Sequence, residues 1–423
     1  MKRKITLALA AILVLAVIGV VAAWPRAQHV PSRSPEDWAA TPANIQRGAY
    51  LAHVGDCAAC HTVRGGAEYA GGRAIETPFG RLYAPNITAD RTHGLGNWSA
   101  DDFWNALHNG RSRDGHLLYP AFPYPNYTRV TRADSDALYA YLRSVPPAAV
   151  PNRAHQLTFP YNQQVALMGW RLLYFRPEVY QPVPERGPVW NRGAYLVEGL
   201  GHCSACHSAR DRFGGSAAGL EGGLIPMLGW YAPSLNSPRE AGLAEWPVEH
   251  IAQLLRTGVA PRATVVGPMA EVVRASLQHL SDQDTIAMAM YLKALPPREA
   301  PAGAAPEPVP EVVLQQGKQI YADRCLDCHG ADGRGLPPHY PPLAGNAALT
   351  VANPVNAIRI VLNGGFAPGT AGNPRPYGMV PYGPVLSDAE VAAVLTYARN
   401  SWGNRGEMVD PREVNRYRNV PLD

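Results

Sequence analysis

Apolar positions recur at helical spacing in three places along this chain, and each time the amphipathic stretch runs into the same kind of pentapeptide. "RGAYLAHVGDCAACH" (47–61) is echoed by "RGAYLVEGLGHCSACH" (192–207) and more loosely by "QGKQIYADRCLDCH" (316–329). Behind each comes a turn segment: "YAPNIT" at 83–88, "YAPSLN" at 231–236, and "PPLAGN" at 341–346 as a weaker third copy. A helical stretch follows ("DDFWNALHNGR", "VEHIAQLLRTG", "NAIRIVLNGG"), closing each time on a glycine placed to cap its C-terminus. Last come a loop, a Ser or Thr N-cap and a terminal helix, with Ser387 and Glu390 as the best match to a capping box. Self-similarity at this scale predicts tandem units of one mainly α fold.

The spacing gives units at 40–146, 190–297 and 311–404. A Pro/Ala-rich, semi-rigid linker fills 298–310. The longer connection at 147–189 is more aromatic ("FPYNQQVALMGWRLLYF") and is expected to pack on the units, with membrane or partner docking as a further role for its aromatic patch. Residues 405–423 form a polar tail.

Before the first unit, Met-Lys-Arg-Lys precedes an uncharged run from Ile5 to Trp24, about the ~20 residues that cross a bilayer. Residues 1–24 thus read as an N-terminal membrane anchor, or as a signal peptide cleaved near Val21, Ala22 and Ala23. Either reading exports the remainder of the chain to the periplasmic side. The net charge of +4 includes the three basic residues before that run, so the exported part is nearly neutral. No Lys/Arg run marks a nucleic-acid partner.

Export normally invites disulfides, yet all six cysteines fall in Cys-x-x-Cys-His units: Cys57, Cys60 and His61; Cys203, Cys206 and His207; Cys325, Cys328 and His329. Positions i, i+3 and i+4 share one face of a helical turn, so two sulfurs and an imidazole converge on a single flat ligand. This is the pattern of covalent c-type haem attachment, with thioethers from the cysteines and the histidine as proximal iron ligand. A thioredoxin-like dithiol would not require the histidine, and a zinc site would need a second pair of ligands. Three covalently bound haem c groups are therefore expected, each a large part of its unit's core.

Repeat register places a sixth iron ligand in the loop before each terminal helix. The second unit supplies Met269 in "VVGPMAEVV" and the third Met379 in "RPYGMVPYG". A His/Met haem has a raised potential and a closed iron, which suits electron transfer. In the first unit the register lands on Phe122 in "LYPAFPY", and no methionine lies between Met1 and Met168. His116, His108, His93 or Met168 completes the first site, or it stays open.

Together "FGRLYAPNIT", "GNWSADDFWNALHNGRSRDG", "LYPAFPYPNYT" and "GNPRPYGMVPY" resemble the tri-haem cytochrome c subunit of bacterial membrane-bound dehydrogenases over roughly residues 40–405. Relatives in that family accompany quinoprotein alcohol dehydrogenase, flavin-dependent gluconate, sorbitol and fructose dehydrogenases, and molybdenum-dependent aldehyde, nicotinate or isoquinoline oxidising enzymes. The resemblance implies three tandem cytochrome c-like domains and a catalytic dehydrogenase subunit as partner. It also implies ubiquinone or a terminal oxidase as electron acceptor. Met269 and Met379 match the family's distal ligands, but the alcohol dehydrogenase type usually has Met where Phe122 stands. "PAFPY" is closer to the branch that accompanies molybdenum hydroxylases. With no paired carboxylates, nucleophile-base arrangement or phosphate loop, the chain reads as a non-catalytic electron carrier. The alternative is a peroxidase-like haem enzyme at an open first haem, drawing on His108, Arg111 and Arg113.

Overall fold

In a computed structural model, residues 34 and 38–420 are described, apart from 217, 218, 226 and 299–307. The apolar run Ile5–Trp24 lies outside them, and among the described residues no helix is long and apolar enough to cross a membrane. The chain is mainly helical: α1 (Pro42–Val54), α2 (Ala100–Asn109) and α3 (Arg132–Ser144) come first, then α4 (Gln164–Tyr174) in the connecting segment. Next are α5 (Gly187–Glu198), α6 (Val248–Thr257), α7 (Pro268–Ala275) and α8 (Asp282–Lys293). The last group is α9 (Glu311–Arg324), α10 (Val355–Asn363), α11 (Asp388–Arg399) and α12 (Pro411–Arg418).

One packing event recurs three times: the first helix of each stretch crosses its terminal helix, α1 on α3, α5 on α8 and α9 on α11. A glycine sits at every crossing. A Cβ on Gly48, Gly193 or Gly317 would run into the backbone carbonyl of Ala137, Ala287 or Ala393 and crowd the Cβ of Tyr141, Tyr291 or Tyr397. The penalty of glycine inside a helix, ~1 kcal/mol, is accepted because only a bare backbone lets the axes approach this closely. Capping completes the pattern. Gly110 and Gly258 end α2 and α6 in the left-handed conformation (φ 56° and 77°), and Ser387 with Glu390 forms the full reciprocal box on α11.

Thr131 and Ser281 cap α3 and α8 by accepting the amides of Asp134 and Asp284, but those two carboxylates do not complete capping boxes. They face outward to a neighbour instead. Asp134 takes Arg47 from its own stretch and the Tyr195 hydroxyl (2.5 Å) from the next. Asp284 takes Arg192 in bidentate fashion (2.8 and 2.7 Å) from its own stretch and the Tyr50 hydroxyl (2.5 Å) from the preceding one. Arg47 and Tyr50 are the Arg and Tyr of the first "RGAYL"; Arg192 and Tyr195 are those of the second. The two copies therefore clasp each other about a local pseudo-two-fold axis, as in an isologous dimer. The same relation pairs Arg129 with Glu198 (2.7 Å) and His279 with His53, stacked at 4.3 Å. Beneath the clasp, Leu51, Leu138, Leu196 and Met288 belong to one continuous apolar core.

The connecting segment packs as expected. Gln156–Leu157 (β3) adds to the hairpin of β1 (Ala74–Thr77) and β2 (Gly80–Tyr83), in the register Gly80↔Leu157 and Arg81↔Gln156. From α4, Trp170 donates to the Phe213 carbonyl (3.0 Å) and Tyr174 to Asp211 (2.5 Å). The third stretch has its own core. It docks on the second through Asn356, which accepts the Tyr231 amide (2.9 Å) and donates to its carbonyl (2.7 Å), and through Arg359 stacked 4.7 Å over Trp230. The stretch read as a polar tail instead folds back: α12 packs on α10 and α11, burying Val414 completely. Arg418 there holds Asp388 (2.6 Å), so hydrophilic composition masked one apolar stripe.

Two outcomes are expected. Gly193→Ala destabilises the fold by about 3 kcal/mol, the upper end for overpacking against backbone, read as a fall in thermal midpoint. Burial alone would raise the carboxyl of Asp284, but hydrogen bonds from Arg192 and Tyr50 override it and hold the group below its ordinary value of 3.8. That stabilisation is complete above 3.8 and is lost as pH falls through the lower folded value. Asp284→Ala removes ~2 kcal/mol at neutral pH. Its thermal midpoint then falls less steeply in acid than that of the wild type.

Candidate haem-binding sites

Each Cys-x-x-Cys-His segment forms one helical turn at the end of a longer helix: Cys57–His61 after α1, Ser204–His207 after α5, Leu326–His329 after α9. On a helical turn, positions i, i+3 and i+4 lie on one face. In the first two copies the residue before the leading cysteine, Asp56 or His202, takes a left-handed conformation (φ 49° and 35°) that reverses the chain from long helix to short turn.

The histidines share one partner type. His61 Nδ1 lies 2.7 Å from the carbonyl of Pro85, His207 Nδ1 2.8 Å from that of Pro233, and His329 Nδ1 3.2 Å from that of Pro341. Those prolines stand in "YAPNIT", "YAPSLN" and "PPLAGN". A carbonyl only accepts, so Nδ1 carries the proton and Nε2 is left with its lone pair. Burial also pulls all three imidazoles below the usual histidine range, outweighing the opposing pull of the carbonyl. A neutral ring with a fixed tautomer and a free Nε2 is what an iron ligand requires.

The thiols do not resemble those of a reactive dithiol. Burial pushes Cys57 and Cys203 up to about 12 and Cys60 and Cys325 up to about 11. Redox-active Cys-x-x-Cys pairs have a lowered, not raised, thiol pKa. Paired cysteines with raised thiols beside a neutral imidazole fit covalent attachment to a haem.

Met269 is the second residue of α7, half-buried against the shared core. Met379 pairs with Gly365 where β5 (Gly378–Met379) meets β4 (Gly365–Phe366), closing a two-stranded ladder. In the first unit, Phe122 packs edge-on to Tyr127 at 5.3 Å. Of the alternative ligands, His116 and Met168 have other side-chain engagements, and His108 is stacked on Trp104. His108 is buried, its Nδ1 2.8 Å from the Thr128 carbonyl. His116 pairs with Asp114 on the surface, and the carbonyl of His93 accepts Asn152. Met168 fills a small core with Leu117 and Leu167. The groups available to a peroxidase-like site are tied down likewise, Arg111 to the Gly115 carbonyl (2.9 Å) and Arg113 toward Asp102 (3.8 Å).

Residues that motif reading passed over are the three prolines, whose carbonyls carry no side-chain signature. Their repeated position behind each motif was the available signal.

Comparison with known proteins agrees. The profile of the cytochrome c family matches residues 45–146 and 314–402. Between those regions, the stretch around Cys203 keeps the same helix crossing and the same imidazole-to-prolyl contact. The chain is 40% identical over 384 residues to the gluconate 2-dehydrogenase cytochrome c subunit of Pantoea cypripedii, covering 86% of this chain and 87% of that protein. It is 37% identical over 380 residues to the cytochrome c subunit of the quinone alcohol dehydrogenase of Gluconacetobacter polyoxogenes, covering 85% and 81%. A nicotinate dehydrogenase subunit of Pseudomonas putida is 41% identical over 384 residues, 89% of this chain but 32% of that longer protein.

Cys206→Ala is expected to leave a single thioether at the haem of the second motif. Part of the reduced α-band in the pyridine haemochrome spectrum then moves to longer wavelength, because one vinyl stays conjugated.

Proposed function

This chain belongs to the family of dehydrogenase cytochrome c subunits, and from that premise we propose that it carries three haem c groups which relay electrons out of a catalytic dehydrogenase. The observation that carries the reading is the threefold contact of His61, His207 and His329 with prolyl carbonyls. Cys57 and Cys60, Cys203 and Cys206, and Cys325 and Cys328 form the thioethers, and the three histidines are proximal ligands. Bound there, haem c supplies a one-electron ferric/ferrous couple. Met269 and Met379 close the second and third irons with thioether sulfur. Units at 40–146, 190–297 and 311–420 are the domains of this relay.

Phe122 sets the first unit apart. It offers no lone pair, His116 and Met168 are engaged elsewhere, and the ring of His108 is stacked on Trp104. We therefore assign the first site an apolar, protein-unligated distal face, which also lacks the distal acid-base group that peroxide chemistry needs. The relay delivers electrons to ubiquinone or a terminal oxidase on the periplasmic side of the inner membrane. There Ile5–Trp24 anchors the chain or exports it as a cleaved signal. The relatives' names point to a partner that oxidises a small alcohol, sugar acid or heteroaromatic acid.

Carbon monoxide added to the anaerobically reduced holoprotein should bind one haem in three and elicit no peroxide turnover. Phe122→Met should abolish that binding. Carbon monoxide at no haem would overturn the open first site, and peroxide turnover would restore the enzymatic alternative.

A further inference from the structure

The pseudo-two-fold clasp has one asymmetric element beside the iron sites. Arg73, on the hairpin of the first unit, grips Glu271 of the second in bidentate fashion, Nη1 to Oε1 at 2.9 Å and Nη2 to Oε2 at 3.2 Å. The same Nη1 also donates to the carbonyl of Ala59, the residue between Cys57 and Cys60 nearer the latter. Glu271 stands two residues after Met269 on α7. A single guanidinium thus joins the attachment turn of the first haem to the helix that presents the thioether of the second.

We infer that Arg73 and Glu271 are a positioning pair that holds the Met269 helix against the first haem-attachment turn and so keeps the Met269 sulfur on the second iron. Three further observations support the assignment. First, α7 packs on the turn Cys57–His61, and the segment after it lies along α1, where His279 stacks on His53. The Met269 loop is therefore seated on the first unit as well as on its own, and Val273 is wholly buried in the core the two units share.

Second, the pair occurs on one side of the pseudo-two-fold only. The bridges Thr62↔Gly71 and Ser208↔Gly222 set the two hairpins in register, which places Leu224 opposite Arg73. Aligning Phe122 with Met269 places Tyr124 opposite Glu271. Leu224 is exposed, and Tyr124 is fully buried against Phe175 and Trp170. Where the loop carries a methionine the cross-unit ion pair is present; where it carries Phe122 both partners are replaced. Third, the arginine-to-carbonyl contact itself is common to both units, since Arg210 donates to the Ala205 carbonyl at 2.6 Å. The first unit adds to it the carboxylate grip on the neighbour.

The sulfur of methionine is a weak, neutral ligand to iron, so the loop that presents it must be held from outside the bond. A half-exposed ion pair contributes little to global stability. Its consequence belongs at the ligand, where a small displacement separates a bonded from an unbonded sulfur.

The inference rests on Met269 as distal ligand, and one set of full-length holoprotein variants separates the two. Met269→Leu, Glu271→Gln, Arg73→Met and the reciprocal Arg73→Glu/Glu271→Arg are compared by the ferric thioether charge-transfer band, by haem midpoint potentials and by carbon monoxide binding. With two Met-ligated haems, Met269→Leu should remove roughly half of the band. Glu271→Gln and Arg73→Met should each lose most of that same half, lower the potential of one haem and admit a second equivalent of carbon monoxide. The reciprocal exchange should restore the wild-type spectrum. An unchanged band in Glu271→Gln and Arg73→Met, with half lost in Met269→Leu, would overturn the positioning pair while Met269 stands. No loss in Met269→Leu would remove the ligand assignment and the pair's role together.

Discussion

An iron-binding imidazole must be neutral, fixed in one tautomer and pointed one way, and a lone histidine in a five-residue turn is none of these unaided. Burial keeps the ring neutral, the hydrogen bond from Nδ1 to a prolyl carbonyl fixes its tautomer and direction, and much of each unit serves to place that carbonyl. The first helix must end where the turn begins, which is why Asp56 and His202 accept left-handed backbone. The segment carrying the proline must return to the turn, which the bridges Thr62↔Gly71 and Ser208↔Gly222 and the hairpins after them achieve. The glycine at each helix crossing brings the terminal helix close enough to cover the far side.

A second level of organisation is built on "RGAYL". Its glycine belongs to the helix crossing within a unit, whereas its arginine and tyrosine belong to the clasp between units. The arginine neutralises the aspartate of its own terminal helix, and the tyrosine reaches the aspartate of the neighbour. Because each carboxylate is claimed from both units, the two stretches share one core and form a single body that carries two Cys-x-x-Cys-His turns. Short contacts between the motif regions, such as Tyr127 edge-on to His202 at 5.6 Å, place the first two attachment turns close together. The third unit, with its own core and a narrower junction through Asn356 and Arg359, is attached to that body rather than merged with it.

Sequence reading reached the attachment turns, the helix order and the caps because each rests on local chemistry at fixed spacing. Cys57, Cys60 and His61 meet by helix geometry alone, and Gly110 and Gly258 end their helices through their own backbone freedom. What it missed depends on partners far away in the chain. Asp134 and Asp284 look like ordinary capping-box residues, and nothing local shows that Tyr195 and Tyr50 will claim them. Residues 411–418 look like a polar tail because six of the eight are polar or proline, and the two that matter, Val414 and Tyr417, are too few to reveal a stripe. Phe122 was legible as a substitution by register, but the separate engagements of His108, His116 and Met168 required the fold.

The loose third copy of the repeat tests this division of labour. "QGKQI" keeps Gly317 where Gly48 and Gly193 stand, but has Gln316 in place of the arginine and Gln319 in place of the tyrosine. The fold retains the first role and drops the second: Gly317 still meets the Ala393 carbonyl, while α9 makes no clasp with another unit's terminal helix among the described residues. Its apolar positions answer to the crossing with α11 alone. The arginine and tyrosine that vary among the three copies therefore decide which units pair, and the glycine and the Cys-x-x-Cys-His residues that persist build the crossing and the imidazole contact of each unit. Phe122 belongs to neither class. It varies in a loop outside the helix crossing, so the unit that bears it keeps that crossing and its imidazole-to-prolyl contact unaltered.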